Sequence, residues 1–119
     1  KQVGELVGKA AQVATQWSEL TDQLIAGGRL DPALPMSAAF EYLEYSGYAG
    51  LAWCWARMAV VAADMLASGQ GDAAFLQSRV ETAKFYMARL LPRTESLRAS
   101  MMAGPETLSA MADEQFFMP

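Results

Sequence analysis

The sequence contains no histidine, which removes the commonest general base, the commonest transition-metal ligand and the usual pH switch. Its one cysteine, Cys54, excludes an internal disulfide and a multi-thiolate zinc site, and a lone thiol fits a reducing, cytoplasmic setting. Positive charge is also short: nine Lys and Arg against thirteen Asp and Glu leave a net charge of −4. That balance offers no basic footprint for phosphate, so no nucleic-acid partner is expected. A glycine-rich phosphate loop, a Ser-centred elbow and a Cys/His cluster are all missing from the 119 residues. The opening "KQVGELVGKAAQVATQW" lacks the compact apolar run of a signal peptide. It also lacks an initiating methionine, so the chain is expected to be a piece of something longer or a processed product. No catalytic, cofactor-binding or metal-ligating residue is assigned.

What remains is rich in Ala and Met and poor in Val, Ile and Thr, with 53% hydrophobic residues. Ala, Leu and Met lose little on entering a helix, whereas β-branched side chains are stiffer there. The length suits one domain with a real core. Val3, Leu6, Ala10, Val13, Trp17, Leu20 and Leu24 recur at alternating steps of three and four, the signature of one helix face. Gln2, Glu5, Lys9, Gln12, Gln16 and Glu19 fall largely on the other side. Gly27-Gly28 is expected to stop this helix. "RLDPALP", Arg29 to Pro35, then reads as a linker without regular structure.

A second helix is expected from about Pro35 or Met36 to Ala67, stopping at "SGQGD". Asp72 can cap the third by accepting from its first free amides. So short a connection makes helices two and three antiparallel neighbours. The third carries Leu76, Val80, Ala83, Met87, Leu90, Thr94, Leu97 and Met101 in one phase, interrupted by Pro92. Proline removes an N–H and crowds the carbonyl of Ala88, which predicts one kinked helix. Gly104-Pro105 closes it and opens a short one, before a tail ending in Phe116, Phe117 and Met118. The expected fold is all-α: an up-down bundle of three long helices, the third kinked at Pro92, plus a short C-terminal helix.

The second helix poses the main question. From Tyr45 to Ala63 it holds a single charge, Arg57, so its length permits a membrane span. Arg57 near the middle, the lack of flanking basic clusters and the amphipathic neighbours argue for a soluble bundle instead. Phe40, Leu43, Gly47, Gly50, Cys54, Met58, Val61 and Met65 form one stripe, while Tyr45, Tyr48, Ala49, Ala52, Trp55, Ala56, Ala59 and Ala63 cover much of the rest. A helix apolar nearly all round must be covered nearly all round. Tyr45, Gly47, Tyr48, Gly50, Trp53 and Trp55, with Phe116 and Phe117, are therefore the candidate packing and interface residues. Gly47-x-x-Gly50 lets backbones approach closely, or is simply small core.

Other candidates weigh less. Glu41 and Glu44, one turn apart, would need Glu-x-x-His partners to hold a di-iron site, and there is no histidine. Arg79, Lys84, Arg89, Arg93 and Arg98 drift around the third helix, as a solvated face does, although an anion or partner site is the other reading. Trp17, Trp53 and Trp55 could stack on a planar cofactor but serve more often as core or interface anchors.

Two stretches carry a family likeness: "YLEYSGYAGLAWCWARMA", Tyr42 to Ala59, and "AKFYMARLLPRTESLRASMMAGPETLSAMADEQF", Ala83 to Phe116. The Gly- and Trp-rich second helix, Ala-Lys-Phe-Tyr, Leu91-Pro92 and the closing Gly-x-Glu-Thr-Leu-x-x-Met with Glu-x-Phe stand in an order that resembles the C-terminal helical extension of a bacterial acyl-CoA dehydrogenase subgroup. The likeness covers most of the chain beyond about residue 36. It implies a parent enzyme that binds FAD and oxidises an acyl-CoA thioester to its 2,3-enoyl form, with the flavin site and the glutamate base in preceding domains. It implies that residues 1–119 form one helical domain, a C-terminal fragment of that larger enzyme, with no catalytic residue and no cofactor of its own. Its partners would be the catalytic domains of the same chain and a second subunit in a homo-oligomer such as a dimer. The alternative, from the residues alone, is a free-standing helical module that dimerises through the second helix.

Overall fold

A computed structural model describes residues 2–119, which form helices, helical turns and short connections with no strand among them. Helix α1, Gln2–Leu30, buries Leu6, Ala10, Val13, Leu20 and Leu24, with Val3 and Trp17 half-buried beside them, which is the stripe expected from the spacing. Its end is not where the glycines suggest. Gly27 and Gly28 keep negative φ, and α1 runs on to Leu30. A Cβ on Gly27 would strike Leu34 Cδ2, and one on Gly28 would lie 2.6 Å from Pro35 Cγ. The pair thus permits close approach of the next segment and does not act as a stop.

The expected linker is also shorter. Only Asp31-Pro32 is non-helical; Asp31 Oδ1 accepts from Ala33 N at 3.0 Å, and a one-turn helix α2, Ala33–Ser37, follows. Pro35 sits early in that turn, where its missing N–H needs no partner. Helix α3, Ala39–Ala67, ends where expected. Gly69 and Gly71, with φ of 70° and 76°, turn the chain through the left-handed region. Asp72 Oδ1 then accepts from Phe75 N at 2.7 Å and caps helix α4, Ala73–Phe85.

Past Phe85 the expected kink takes a specific form. Tyr86–Leu90 widen into a π turn, in which Leu91 N donates to Tyr86 O at 3.0 Å, and helix α5, Arg93–Met101, starts after Pro92. The wider turn inserts one residue, so Leu91 is buried and Leu90 only half-buried. Gly104 (φ 92°) ends the run, followed by α6, Glu106–Ser109, and a 3₁₀ turn, Asp113–Phe116. The count of three long helices and one short one therefore needs correction: α2 is additional, and the third unit is α4, a π turn and α5.

Helix α3 lies in the middle, with α1 on one side and α4–α5 on the other. Its Ala-rich face, Tyr45, Ala49, Ala52, Ala56, Ala59 and Ala62, is buried between them. Tyrosines tie the layer together. Thr21 donates to the Trp17 carbonyl at 2.8 Å, which leaves it to accept from Tyr42 at 2.7 Å. Tyr45 donates to Gln16 Oε1 at 2.6 Å, and Tyr86 donates to the Tyr48 carbonyl at 2.6 Å.

The result is thin and wide: 69 × 35 × 17 Å, with a radius of gyration of 19.6 Å. A compact domain of this length has a radius of roughly 13.5 Å. The accessible surface, 8112 Å², likewise exceeds the roughly 6,300 Å² of a compact monomer of this mass. Residues 106–119 are exposed throughout and do not fold back on the helices.

Candidate functional site

The turn of α3 that buries its alanines leaves the opposite stripe open. Phe40, Leu43, Gly47, Leu51, Cys54, Met58 and Val61 are all exposed, Phe40 and Leu43 at 68% and 69%. A continuous apolar face running the length of a helix marks an interaction surface. By length and composition α3 could also cross a membrane.

At the far end of the stripe α4 adds a second wall. The resulting groove, about 800 Å³, is lined by Trp53, Cys54, Arg57, Met58, Val61 and Met65 from α3 and by Gly71, Asp72, Phe75, Leu76 and Arg79 from the turn and α4. The Arg57 guanidinium stands 5.6 Å from the Trp53 ring centre, and that of Arg79 stands 4.8 Å from the Phe75 ring centre. Each stack fixes a cation at an aromatic wall. A second groove of about 570 Å³, between α1 and the start of α3, is apolar and includes Leu24, Ile25, Pro35, Tyr42 and Leu43. Between α1 and α5 a cleft of about 470 Å³ is polar, with Lys9, Gln12, Gln16, Glu95 and Arg98.

The candidate residues separate by burial. Tyr45 lies wholly inside the layer, and Tyr48 and Trp55 are half-buried against the core. Gly50 is half-buried, while Gly47 and Trp53 face outward. Phe116 and Phe117 are exposed at 68% and 76%, away from the other candidates. The arrangement brings Trp53 to the groove and leaves the phenylalanines apart from it. Phe75, Arg79 and Ile25 escape a sequence reading, because their part in a groove depends on the packing of two helices. The stacks themselves had a signal: both Arg57 and Arg79 stand four residues after their aromatic partner.

Charge chemistry is sparse. Lys84 pairs with Glu81 at 2.7 Å and draws that exposed carboxyl below its usual range. Glu41 is half-buried and Glu44 exposed, and no cluster of three potential metal ligands exists among the described residues. Burial pushes the Tyr45 hydroxyl up, against the pull of Arg98, and pushes Tyr86 up to about 12. Both hydroxyls are hydrogen-bonded donors at neutral pH, suited to holding helices together. The charged groups of the α3–α4 groove are Arg57, Arg79 and Asp72, set among apolar side chains.

No curated protein matches the chain. The family model described as "Acetyl-CoA dehydrogenase C-terminal like" matches residues 1–112, so the likeness first drawn from about residue 36 onward also takes in α1, while Asp113–Pro119 lies outside it. With nearly the whole all-helical layer inside that match, the chain belongs to the acetyl-CoA dehydrogenase C-terminal-like family.

Proposed function

We propose that this domain is the C-terminal accessory and assembly unit of an FAD-dependent acyl-CoA dehydrogenase, and that the open stripe of α3 is its seat on the catalytic body or a neighbouring subunit. The observation that carries this reading is the bare apolar face from Phe40 to Val61 in a chain of this family.

Gly47 and Gly50 add a second line of support. A Cβ on either would meet nothing within 4 Å, so neither is required by packing inside the domain. Mid-helix glycine costs about 1 kcal/mol relative to alanine. A partner backbone resting on this part of α3 gives that loss a purpose.

The flavin belongs, in this reading, to the rest of the enzyme. The residues here show no cradle for it: the Asp72 carboxylate accepts from Phe75 N at the start of α4 and opposes a pyrophosphate there. The parent oxidises acyl-CoA to 2,3-enoyl-CoA in the cytoplasm, as a homo-oligomer, and this unit contributes position and not chemistry. A free-standing module that dimerises through α3 remains the second reading, favoured by the same bare stripe.

The test is to express the entire reading frame that includes Lys1. Flavin absorbance and acyl-CoA-dependent bleaching are expected from it, and its assembly should be lost on Leu43→Glu with Leu51→Glu. A reading frame that begins just before Lys1, or a colourless full-length protein, defeats the proposal.

A further inference from the structure

We propose that the partner of the open α3 stripe is the same stripe of a second copy of this chain, the two helices crossing antiparallel about a two-fold axis beside Gly50 and Leu51. The inference rests on the reading of that stripe as a docking seat; it adds which surface fills the seat and in what register.

The order of side chains along the stripe carries the choice of partner. Reversed about the bond joining Gly50 and Leu51, the stripe falls on itself. Phe40 then meets Val61 of the second copy, and Leu43 meets Met58, all four exposed and apolar. Gly47 meets Cys54, small against small, both exposed. At the centre Leu51, 51% exposed, comes over Gly50, where an added Cβ would find nothing within 4 Å. Each copy thus offers a knob and a hollow beside the axis, the self-complementary pattern that a two-fold contact requires. A seat for an unrelated surface has no need to mirror itself about its own midpoint.

Charge follows the same symmetry. Glu44 and Arg57 flank the stripe, exposed and in no ion pair among the described residues, and the same reversal exchanges them. They stand on opposite edges of the helix, so a crossed pair brings each carboxylate toward the guanidinium of the other copy along one diagonal. The glycines sit where the helices come closest, and the bulky residues lie toward the ends, where crossed helices diverge. From Phe40 to Val61 the stripe is about 32 Å long and one helix, about 10 Å, wide. The pair then buries on the order of 600 Å², below the roughly 1,200 Å² of a standard interface, so the contact is a reversible one in this chain by itself.

The 119-residue chain tests this without flavin. Sedimentation from micromolar to millimolar concentration should show a reversible monomer–dimer equilibrium. With Cys54→Ser in both, a tagged Leu43→Cys chain and a differently tagged Met58→Cys chain are mixed and mildly oxidised. Unlike positions should join about tenfold better than like ones, which lie roughly 22 Å apart along the crossed helices. Gly50→Leu fills the hollow and should abolish dimers with helicity unchanged. Glu44→Arg should weaken dimerisation about threefold, and adding Arg57→Glu should restore it. A chain monomeric throughout, like positions joining as well as unlike ones, dimers indifferent to Gly50→Leu, or no recovery in the doubly changed chain overturns the proposal. If the chain stays monomeric while the entire reading frame still loses its assembly on Leu43→Glu with Leu51→Glu, the catalytic body fills the seat: the pairing of copies falls and the assembly role stands. A reading frame that begins just before Lys1 does the opposite, removing the assembly role and leaving the joining result untouched.

Discussion

Glycine in this domain has three different uses, and substitution separates them. At Gly47 and Gly50 an added methyl meets open space, so Gly47→Ala and Gly50→Ala should each stabilise the isolated domain by up to about 1 kcal/mol, raising Tm by about 4 °C. The same changes should weaken the assembled enzyme, read by sedimentation, if a partner backbone lies against α3. At Gly28 the new Cβ meets the rigid Pro35 ring, and Gly28→Ala should destabilise by about 1–2 kcal/mol. Gly27→Ala should be milder, since the Leu34 side chain can swing away. Gly69, Gly71 and Gly104 serve a third purpose, backbone conformation, through their positive φ. Tyr86 offers a pH test at the same scale. Its folded pKa of about 12 lies above the ordinary tyrosine value of 10.0. The protonated hydroxyl is therefore favoured by folding, and its contribution is complete below pH 10 and lost as pH rises from 10 to 12. Tyr86→Phe should lower stability at neutral pH by about 1 kcal/mol and flatten the alkaline fall in chemical denaturation curves.

At the scale of the element, the α4 cap is the clearest test. Asp72→Ala should lose about 1 kcal/mol, read as a lower denaturant midpoint with unchanged slope. That cap, the α1 stripe and the end of α3 were legible in the sequence because each follows from local spacing and local chemistry. The helix stop at Gly27-Gly28 was misleading for a related reason: glycine serves tight turns and close approaches alike, and only the position of Leu34 and Pro35 distinguishes them. Pro92 announced a break, but the π turn that absorbs it keeps Leu91 and Thr94 buried, a tertiary demand. Helix α3 presented two apolar faces of similar quality. Nothing local says that the small alanine face goes inward; packing does, since alanines let α1 and α4 come close. The groove was least visible, because Trp53, Arg57, Phe75 and Arg79 are joined only by the pairing of two helices.

For the whole molecule, shape is the main physical fact. A layer 17 Å thin cannot enclose large side chains on both faces, and it leaves Phe40, Leu43, Leu51 and Val61 in the open. Leu43→Glu with Leu51→Glu should therefore change the stability of the isolated domain by no more than about 0.5 kcal/mol, while raising its solubility and abolishing assembly. Membrane partition checks the other use of so apolar a helix: recovery of the chain in the aqueous phase without detergent would exclude α3 as a span, and partition into vesicles would support one. The position of α3 between its own neighbours in sequence has a kinetic consequence. Each packing step joins consecutive segments, so loop closure is short and the layer forms quickly. If the stripe seats on a neighbouring subunit, as proposed, that encounter is bimolecular and slower at low concentration. Between the two events the stripe is folded, bare and able to meet the wrong surface. The time spent waiting for a partner, more than any weakness of the fold, then governs how much of the newly made chain escapes aggregation.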